Sequence, residues 1–284
     1  MSPNHPPGPR SWPLIGALPS VIRDPLAFYT RMAHDYGPLS FAQVAHTELY
    51  MLGDPTLVEE LLTEKNKLLI KDALTRTLHP LVGNGLLTSE GELWKKQRKL
   101  SAPAFAPKRL DAYEGTMVAC GQELFGRWVD GERRDFVRDS MRVTLEVVGR
   151  TLLGISDSAR LDQVNELVDD VLAYYAERIH NWGALLPPSF PTPRYRRFLS
   201  AKRELDELLR DIIARVQRDD RDADYLLARL VRARGEDGQG MSAQQLLDEG
   251  VTMLLAGHET TALTLVYAVQ LLSAHKHLRN TLRE

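Results

Sequence analysis

Cysteine is almost absent from this sequence of 284 residues, which contains only Cys120. A single thiol excludes a disulfide framework and a zinc site built from several cysteines, and it is typical of a reducing compartment. Excess charge is also absent, because 36 Lys and Arg side chains oppose 38 Asp and Glu side chains. A net charge of −2 excludes the basic field of a nucleic-acid-binding protein and the acidic excess of a disordered one.

The sequence also lacks a recognisable targeting segment. Residues 1–19 have no positively charged start followed by a continuous apolar run, so we expect a cytoplasmic protein with neither a secretory signal nor a membrane anchor. The run from Val251 to Leu272 approaches the ~20 residues that a membrane span needs. It contains His258, Glu259 and Gln270. Since a glutamate near the middle of a span is rare, this run is interpreted as a core helix.

Proline is concentrated at the N-terminus, where six prolines lie between Pro3 and Pro19. This density opposes regular helix and predicts an extended arm over residues 1–22. The preferred interpretation is an arm that packs on its own domain through Trp12, Leu14 and Ile15. The alternative is a proline-rich ligand for a partner domain.

The rest of the chain predicts a mainly α fold with a small β-sheet, in a single domain over residues 1–284. Extended segments are expected at 39–44 and 47–52, followed by a helix that starts with Asp54 as N-cap and Pro55 as first residue. Apolar residues then recur every three or four positions, which predicts further helices. These patterns cover Leu110–Trp128, Met141–Leu152, Leu161–Leu172 and Leu205–Val216, and the breaks between helices include 185–193 and 232–240.

A last long helix is predicted to begin at Ser242, because Ser242 and Gln245 form a capping-box signature. If it continues to Ser273, it is about 48 Å long. Its centre reads LLAGHETTALTL, from Leu254 to Leu265. Glycine costs about 1 kcal/mol relative to alanine in a helix, and an unpaired buried carboxylate costs more. Such residues in an apolar helix therefore indicate a functional site.

The hydroxyl of Thr260 can either bond back to the Ala256 carbonyl or turn away and leave that carbonyl free. Gly257 removes a side chain beside this position, which permits local widening of the helix. Glu259 supplies an acid that can reload the hydroxyl with protons. The functional interpretation is a proton-delivery groove beside a cofactor. The structural alternative is a kinked helix in which Glu259 and His258 are satisfied by neighbouring helices.

A second candidate site lies upstream, in the stretch WKKQR. Trp94 and Arg98 are four residues apart on a predicted helix, so both project from one face. Both side chains are pure hydrogen-bond donors and together suit an anion such as a carboxylate. The lysines at 95, 96 and 99 occupy the other faces, which indicates first a solvated surface and second a docking patch.

These motifs resemble the cytochrome P450 haem-thiolate monooxygenases in their soluble bacterial form. The resemblance rests on PPGPRSWPLIG at the start, WKKQR for the family's W-x-x-x-R helix, PAF after it, and AGHETT for its (A/G)-G-x-(D/E)-T-(T/S) motif. The four motifs occur in the family's order. The resemblance implies a haem b cofactor, an apolar small-molecule substrate, dioxygen, and a ferredoxin or flavodoxin-type electron donor.

The resemblance also implies roles for particular residues. Trp94 and Arg98 would hold a haem propionate, and Ala256 and Gly257 would lie over the distal face of the haem. Glu259 and Thr260 would deliver protons to dioxygen, as the catalytic pair. The segments 70–87 and 169–193 would line the substrate. His258 occupies a variable position of the motif and is interpreted as a helix-packing residue, and Gln97 fills another variable position.

The resemblance includes one departure. In this family an E-x-x-R helix and a cysteine-containing haem loop follow the long helix, whereas this sequence ends at Glu284. We therefore expect a P450 fold that is incomplete at the C-terminus and lacks the axial thiolate, which in such enzymes favours O–O cleavage. Cys120 lies between Met117 and Leu124 in an apolar pattern, which predicts a packing residue. Two hypotheses follow: the distal half of a monooxygenase, or a truncated, non-catalytic helical fragment that binds no haem.

Overall fold

The computed structural model describes residues 5–180, 190–218 and 223–282. The chain divides into two compact units, Met1–Ile70 and Lys71–Glu284. Helices dominate, and the one sheet among the described residues has two strands. The mainly α fold with a small sheet is therefore confirmed.

The first unit is built on a β-hairpin. Strands β1 (Leu39–Val44) and β2 (Thr47–Leu52) are antiparallel, with Leu39 opposite Leu52 and Val44 opposite Thr47. These bounds confirm the two predicted extended segments. The helices of this unit are α1 (Leu18–Arg23), α2 (Pro25–Asp35) and α3 (Pro55–Thr63). The Asp54 carboxylate accepts hydrogen bonds from the first turn of α3, as its N-cap position predicted.

The N-terminal arm differs from the prediction in two respects. It ends earlier, because Leu18–Arg23 form α1, with proline in the first turn, where its missing N–H is not needed. Packing through Trp12, Leu14 and Ile15 was also wrong, since these side chains are 66%, 97% and 44% exposed. The arm is held by its backbone instead. Gly16 adopts a φ of +58°, and the backbone amide of the next residue, Ala17, donates to the Gln43 carbonyl at 2.6 Å.

The second unit is helical throughout its regular structure. Within the described residues, its helices are α4 (Ala73–Arg76), α5 (His79–Val82), α6 (Gly91–Ser101), α7 (Pro107–Phe125), α8 (Phe136–Leu152), α9 (Ser158–His180), α10 (Pro193–Arg218), α11 (Leu226–Arg232), α12 (Ala243–Ala274) and α13 (Lys276–Thr281). Helices α7 to α10 confirm the four helices that the apolar patterns predicted. Helix α7 ends three residues before Trp128, because the chain turns at Gly126.

The core of this unit lies among α8, α9, α10 and α12. Its buried side chains come from all of these helices, for example Val148, Val168, Leu209 and Leu254. Helix α8 has a buried face along most of its length. This packing holds α12 in place through its first half.

The long helix α12 starts as predicted. The Ser242 hydroxyl accepts from the Gln245 amide at 3.2 Å, and the Gln245 side chain accepts from the Ser242 amide at 2.8 Å. The segment from Leu246 to Leu254 is mostly buried. Beyond the centre, α12 exposes apolar side chains, including Tyr267 at 61% and Leu271 at 59%. None of the helices in the described ranges is both long enough and apolar enough to cross a membrane.

Candidate active site

The centre of α12 has one face turned toward α8. A β-carbon placed on Gly257 would lie 3.1 Å from Cγ2 of Val148, so the glycine allows the two helices to approach closely. His258 is 1% exposed, and its Nε2 lies 3.1 Å from the carbonyl oxygen of Met141. That carbonyl only accepts, so Nε2 carries the proton. His258 is therefore a packing residue, and burial lowers its pKa.

The opposite face of this segment is open. Ala256 and Thr260 are exposed, and Glu259 is half-buried. The Thr260 hydroxyl donates to the Ala256 carbonyl at 2.5 Å, which is the back-bonded alternative of the two that the sequence allowed. Helix α12 continues through this point without interruption. The arrangement places a hydroxyl and an acid side by side in sequence at the border between buried and exposed helix.

The predicted anion site lies on α6, where Trp94 and Arg98 share one face. The Arg98 guanidinium stacks on the Trp94 ring, with Cζ 5.2 Å from the ring centroid. Trp94 is half-buried and Arg98 is exposed. A guanidinium over an aromatic face keeps its N–H groups available to an acceptor.

The other cations of α6 differ from Arg98. Each lysine forms an ion pair: Lys95 with Glu92 at 2.6 Å, Lys96 with Asp237 at 3.1 Å, and Lys99 with Glu236 at 2.7 Å. In the described part of the chain, no carboxylate forms such a pair with Arg98. Among the cations of α6, Arg98 therefore differs from the three lysines in having no ion pair with the described residues.

Sequence reasoning missed the hydrogen bonds that attach the loop at residues 84–86 to the buried half of α12. The Asp248 carboxylate accepts from the Asn84 amide at 2.8 Å, and the Glu249 carboxylate accepts from the Leu86 amide at 3.2 Å. Two glycines make this approach possible. A β-carbon on Gly83, which has a φ of +54°, would lie 2.3 Å from Oδ1 of Asp248, and one on Gly85 would lie 2.1 Å from a Thr252 side-chain oxygen. The available signal was an acidic pair in an otherwise apolar helix.

The same loop is attached to α6 through Gln97. This side chain is fully buried, donates to the Asn84 carbonyl at 2.8 Å and accepts from the Ser89 hydroxyl at 2.6 Å. The Lys71 ammonium group donates to the Leu86 carbonyl at 2.8 Å. We call residues Gly83–Ser89 the anchored loop. It connects the helix of Trp94 and Arg98 to the helix of Glu259 and Thr260.

Glu249 has the most perturbed carboxyl group in this region. Its side chain is fully buried, and Oε1 has no hydrogen-bond partner among the described residues. Burial raises its pKa to about 7, with a further rise from Asp248, against the lowering effects of the Leu86 amide and Lys71. The desolvation penalty outweighs the interactions that stabilise the charge.

Cys120 is buried in a separate cluster with Leu124 and Val143. Its side chain is completely inaccessible, and burial raises the pKa of its thiol. Both properties disfavour a thiolate ligand. The predicted packing role is confirmed.

Residues 6–284 match the sequence model of the family described as cytochrome P450. The chain belongs to the cytochrome P450 family. It is 31% identical over 274 residues to a cyclooctat-9-en-7-ol 5-monooxygenase of Streptomyces melanosporofaciens, covering 94% of this chain and 58% of that protein. It is 29% identical over 280 residues to a pentalenene oxygenase of Streptomyces avermitilis, covering 97% of this chain and 61% of that protein.

A solved structure supports the P450 fold. The retinoic-acid-bound cyanobacterial CYP120A1 superposes with a TM-score of 0.79 at 22% identity, covering 98% of this chain and 62% of that one. The chain thus spans about 60% of the length of each of these three P450 proteins. Of the segments expected to line the substrate, 70–87 overlaps the anchored loop at residues 83–87, whereas residues 181–189 of the second segment lie outside the described residues.

Proposed function

We propose that this P450 chain carries the distal, oxygen-activating half of a haem-dependent monooxygenase, which inserts one atom of dioxygen into an apolar organic substrate. The observation that carries the proposal is the state of Arg98. Its guanidinium lies over the Trp94 ring and has no carboxylate partner among the described residues, while the lysines of α6 are all paired.

The residues on α6 and α12 fit haem b. The planar guanidinium of Arg98 and the indole N–H of Trp94 match a propionate carboxylate, since Arg binds carboxylates through parallel N–H bonds. Ala256 contributes only a methyl group to the open face of α12, which suits a flat macrocycle. When bound, the haem supplies the redox chemistry that activates dioxygen. No axial ligand is assigned to Cys120, because its thiol is buried.

Thr260 and Glu259 are proposed to move protons at this face. The Thr260 hydroxyl donates to the Ala256 carbonyl, so it must rotate away before it can donate elsewhere. Giving up one neutral hydrogen bond costs about 1 kcal/mol, which a new acceptor offsets. The Glu259 carboxyl then returns a proton to the hydroxyl oxygen. Both groups act as positioned acid and donor, the roles that general acid catalysis requires.

The proposed substrate is an apolar, terpene-like molecule. The names of both Streptomyces relatives denote enzymes that oxygenate such compounds. Among the residues of the substrate-side segment, Leu87 is 45% exposed and presents an apolar side chain. An apolar substrate would remove such surface from water, at about 25 cal/mol per Å².

Electrons are proposed to come from a ferredoxin or flavodoxin-type donor that docks on the lysines of α6. Lys96 and Lys99 are paired with Asp237 and Glu236, so an acidic partner would compete with these exposed pairs. Exposed pairs contribute only ~0–1 kcal/mol each, so the exchange is feasible.

The proposal is tested on the product of the native gene. We expect haem with a thiolate-type absorption spectrum after reduction under carbon monoxide, and one labelled oxygen atom in the product formed under ¹⁸O₂. The alternative, a non-catalytic helical fragment, predicts neither haem nor labelled product.

A further inference from the structure

The anchored loop is held to α12 by its backbone amides rather than by its side chains. The Asp248 side chain accepts a hydrogen bond from the backbone amide of Asn84 at 2.8 Å, and the Glu249 side chain accepts one from the backbone amide of Leu86 at 3.2 Å. Asp248 also accepts from the Gln244 side chain at 2.8 Å. Amide to carboxylate bonds are charge-assisted and stronger than those between neutral groups.

A glutamate at position 249 is energetically unfavourable for the fold. Its Oε1 has no partner among the described residues, and its side chain is completely buried. A buried carboxyl group with one unsatisfied oxygen destabilises a fold, and an apolar side chain of similar size would pack at lower cost. Packing alone therefore does not explain a glutamate here.

Two glycines of the loop allow it to approach the same turn of α12 closely. The carboxylate of Asp248 fills the space where a Gly83 side chain would lie, and the Asp248 carbonyl lies 2.8 Å from a β-carbon on Gly85. The loop backbone and the acidic turn of α12 thus fit each other without intervening side chains. Gln97 fixes the far side of the loop to α6.

We infer that Asp248 and Glu249 are positioning residues that fix the anchored loop against α12 and so set the place of Leu86 and Leu87 for the substrate. The first half of this inference concerns the fold alone. The second half rests on the proposed monooxygenase function, because it requires a substrate beside the loop. Neither residue touches the reacting atoms. They act through the loop.

The decisive comparison is between Glu249→Leu and Glu249→Gln in the whole protein. Leucine removes the acceptor and the buried carboxyl group, whereas the glutamine oxygen still accepts from the Leu86 amide. We expect about tenfold faster amide hydrogen exchange at Leu86 in Glu249→Leu, which corresponds to the loss of one hydrogen bond. Exchange in Glu249→Gln should stay near that of the unmodified protein.

A purely structural role predicts a different result. Glu249→Leu would then raise the melting temperature and leave exchange in the loop unchanged, and this outcome would overturn the inference. The control is Glu166→Leu on the exposed face of α9. This variant should leave the amide exchange rate of Leu86 unchanged.

A second variant acts from the loop side and leaves both carboxylates in place. Gly85→Ala places a β-carbon 2.1 Å from the side-chain oxygen of Thr252, so the loop must move off α12. We expect faster exchange at Leu86 in Gly85→Ala and only partial recovery in the double variant Gly85→Ala/Thr252→Ala, because the Asp248 backbone carbonyl would still lie 2.8 Å from the added β-carbon. Unchanged exchange in Gly85→Ala would contradict the close approach on which the inference depends.

The functional half is read from steady-state kinetics of the holoenzyme. We expect Glu249→Leu to raise KM for the substrate several-fold and to leave the ratio of product to electrons consumed unchanged. Faster exchange with an unaltered KM would show that the loop is anchored but does not position the substrate. A protein without monooxygenase activity would defeat the proposed function, while the exchange data would still judge the anchor.

Discussion

A β-carbon placed on Gly257 lies 3.1 Å from Cγ2 of Val148, a contact tighter than side chains normally make. The glycine of the AGHETT motif therefore serves the packing of α12 on α8. His258, the next residue, is buried on the same side. Ala256 and Thr260 face the open side, so the motif divides between a structural face and an exposed one.

The first prediction follows from this contact. Gly257→Val adds three carbon atoms against Val148, and overpacking of this kind costs about 1–3 kcal/mol. We expect that loss in the free energy of unfolding, measured with denaturant on the whole protein. Val148→Ala should restore part of it in the double variant. Equal stability of Gly257→Val and the unmodified protein would mean that α8 and α12 are not packed as described.

The second prediction concerns Thr260. In the complete enzyme, Thr260→Ala should retain haem and substrate but release reduced oxygen as peroxide, because a positioned proton donor contributes about 10²–10⁴-fold. Glu259→Gln should mainly slow turnover. The measurement is product and peroxide formed per electron consumed.

Thr264 provides a matched control for Thr260. It is also exposed, and its hydroxyl bonds back to the Thr260 carbonyl at 2.8 Å, one turn further along α12. Thr264→Ala should therefore leave the coupling of electrons to product intact. Equal uncoupling in both variants would remove the special role of Thr260.

The third prediction is a pH dependence of stability. Glu249 has its pKa raised from 4.5 to about 7 in the folded protein, so between these values the folded state holds a proton that the unfolded state has released. The contribution of Glu249 to stability therefore falls as the pH rises from 4.5 to about 7 and then levels off. Glu249→Gln lacks this titration. We expect its stability relative to the unmodified protein to rise by up to about 3 kcal/mol over that range.

Denaturant unfolding at closely spaced pH values measures this difference. Asp248 and Lys71 face Glu249 in both proteins, so their contributions largely cancel in the comparison. A difference that stays constant from pH 4.5 to pH 8 would show that the carboxyl of Glu249 is not buried as described.

The fourth prediction concerns the electron donor. Lys99→Glu should slow reduction by an acidic ferredoxin at low salt, and the effect should shrink as salt screens the charges. Lys108→Glu, at an exposed position on α7, is the charge-matched control. A reduction rate that responds to neither salt nor charge reversal would leave the lysines of α6 with only their intramolecular ion pairs.

Local signals account for what the sequence predicted well. The hairpin, the Asp54 cap and the start of α12 at Ser242 depend on residues close together in the chain, and the structure confirms all three. Proline was a weaker guide. Pro19 was taken to oppose helix formation, whereas proline in a first turn is compatible with α1.

Long-range contacts account for what it missed. Asn84 and Asp248 are 164 positions apart, and no periodic pattern predicts a hydrogen bond from a backbone amide to a carboxylate across that separation in sequence. Two of the three ion pairs that distinguish the lysines of α6 from Arg98, those of Lys96 and Lys99, also come from a distant segment. The roles of Trp94, Arg98, Ala256, Gly257, Glu259 and Thr260 toward haem and dioxygen stay predictions.

Haem retention by the Arg98→Ala variant of the whole protein tests the central claim most directly. A charge-assisted hydrogen bond contributes ~1.5–3 kcal/mol, so we predict roughly tenfold to hundredfold weaker haem binding, measured by Soret absorbance during transfer of haem to an acceptor protein. Lys95→Ala, which removes an exposed and paired charge on the same helix, should retain haem as the unmodified protein does. Full and equally tight haem binding in Arg98→Ala would contradict the assignment of this site.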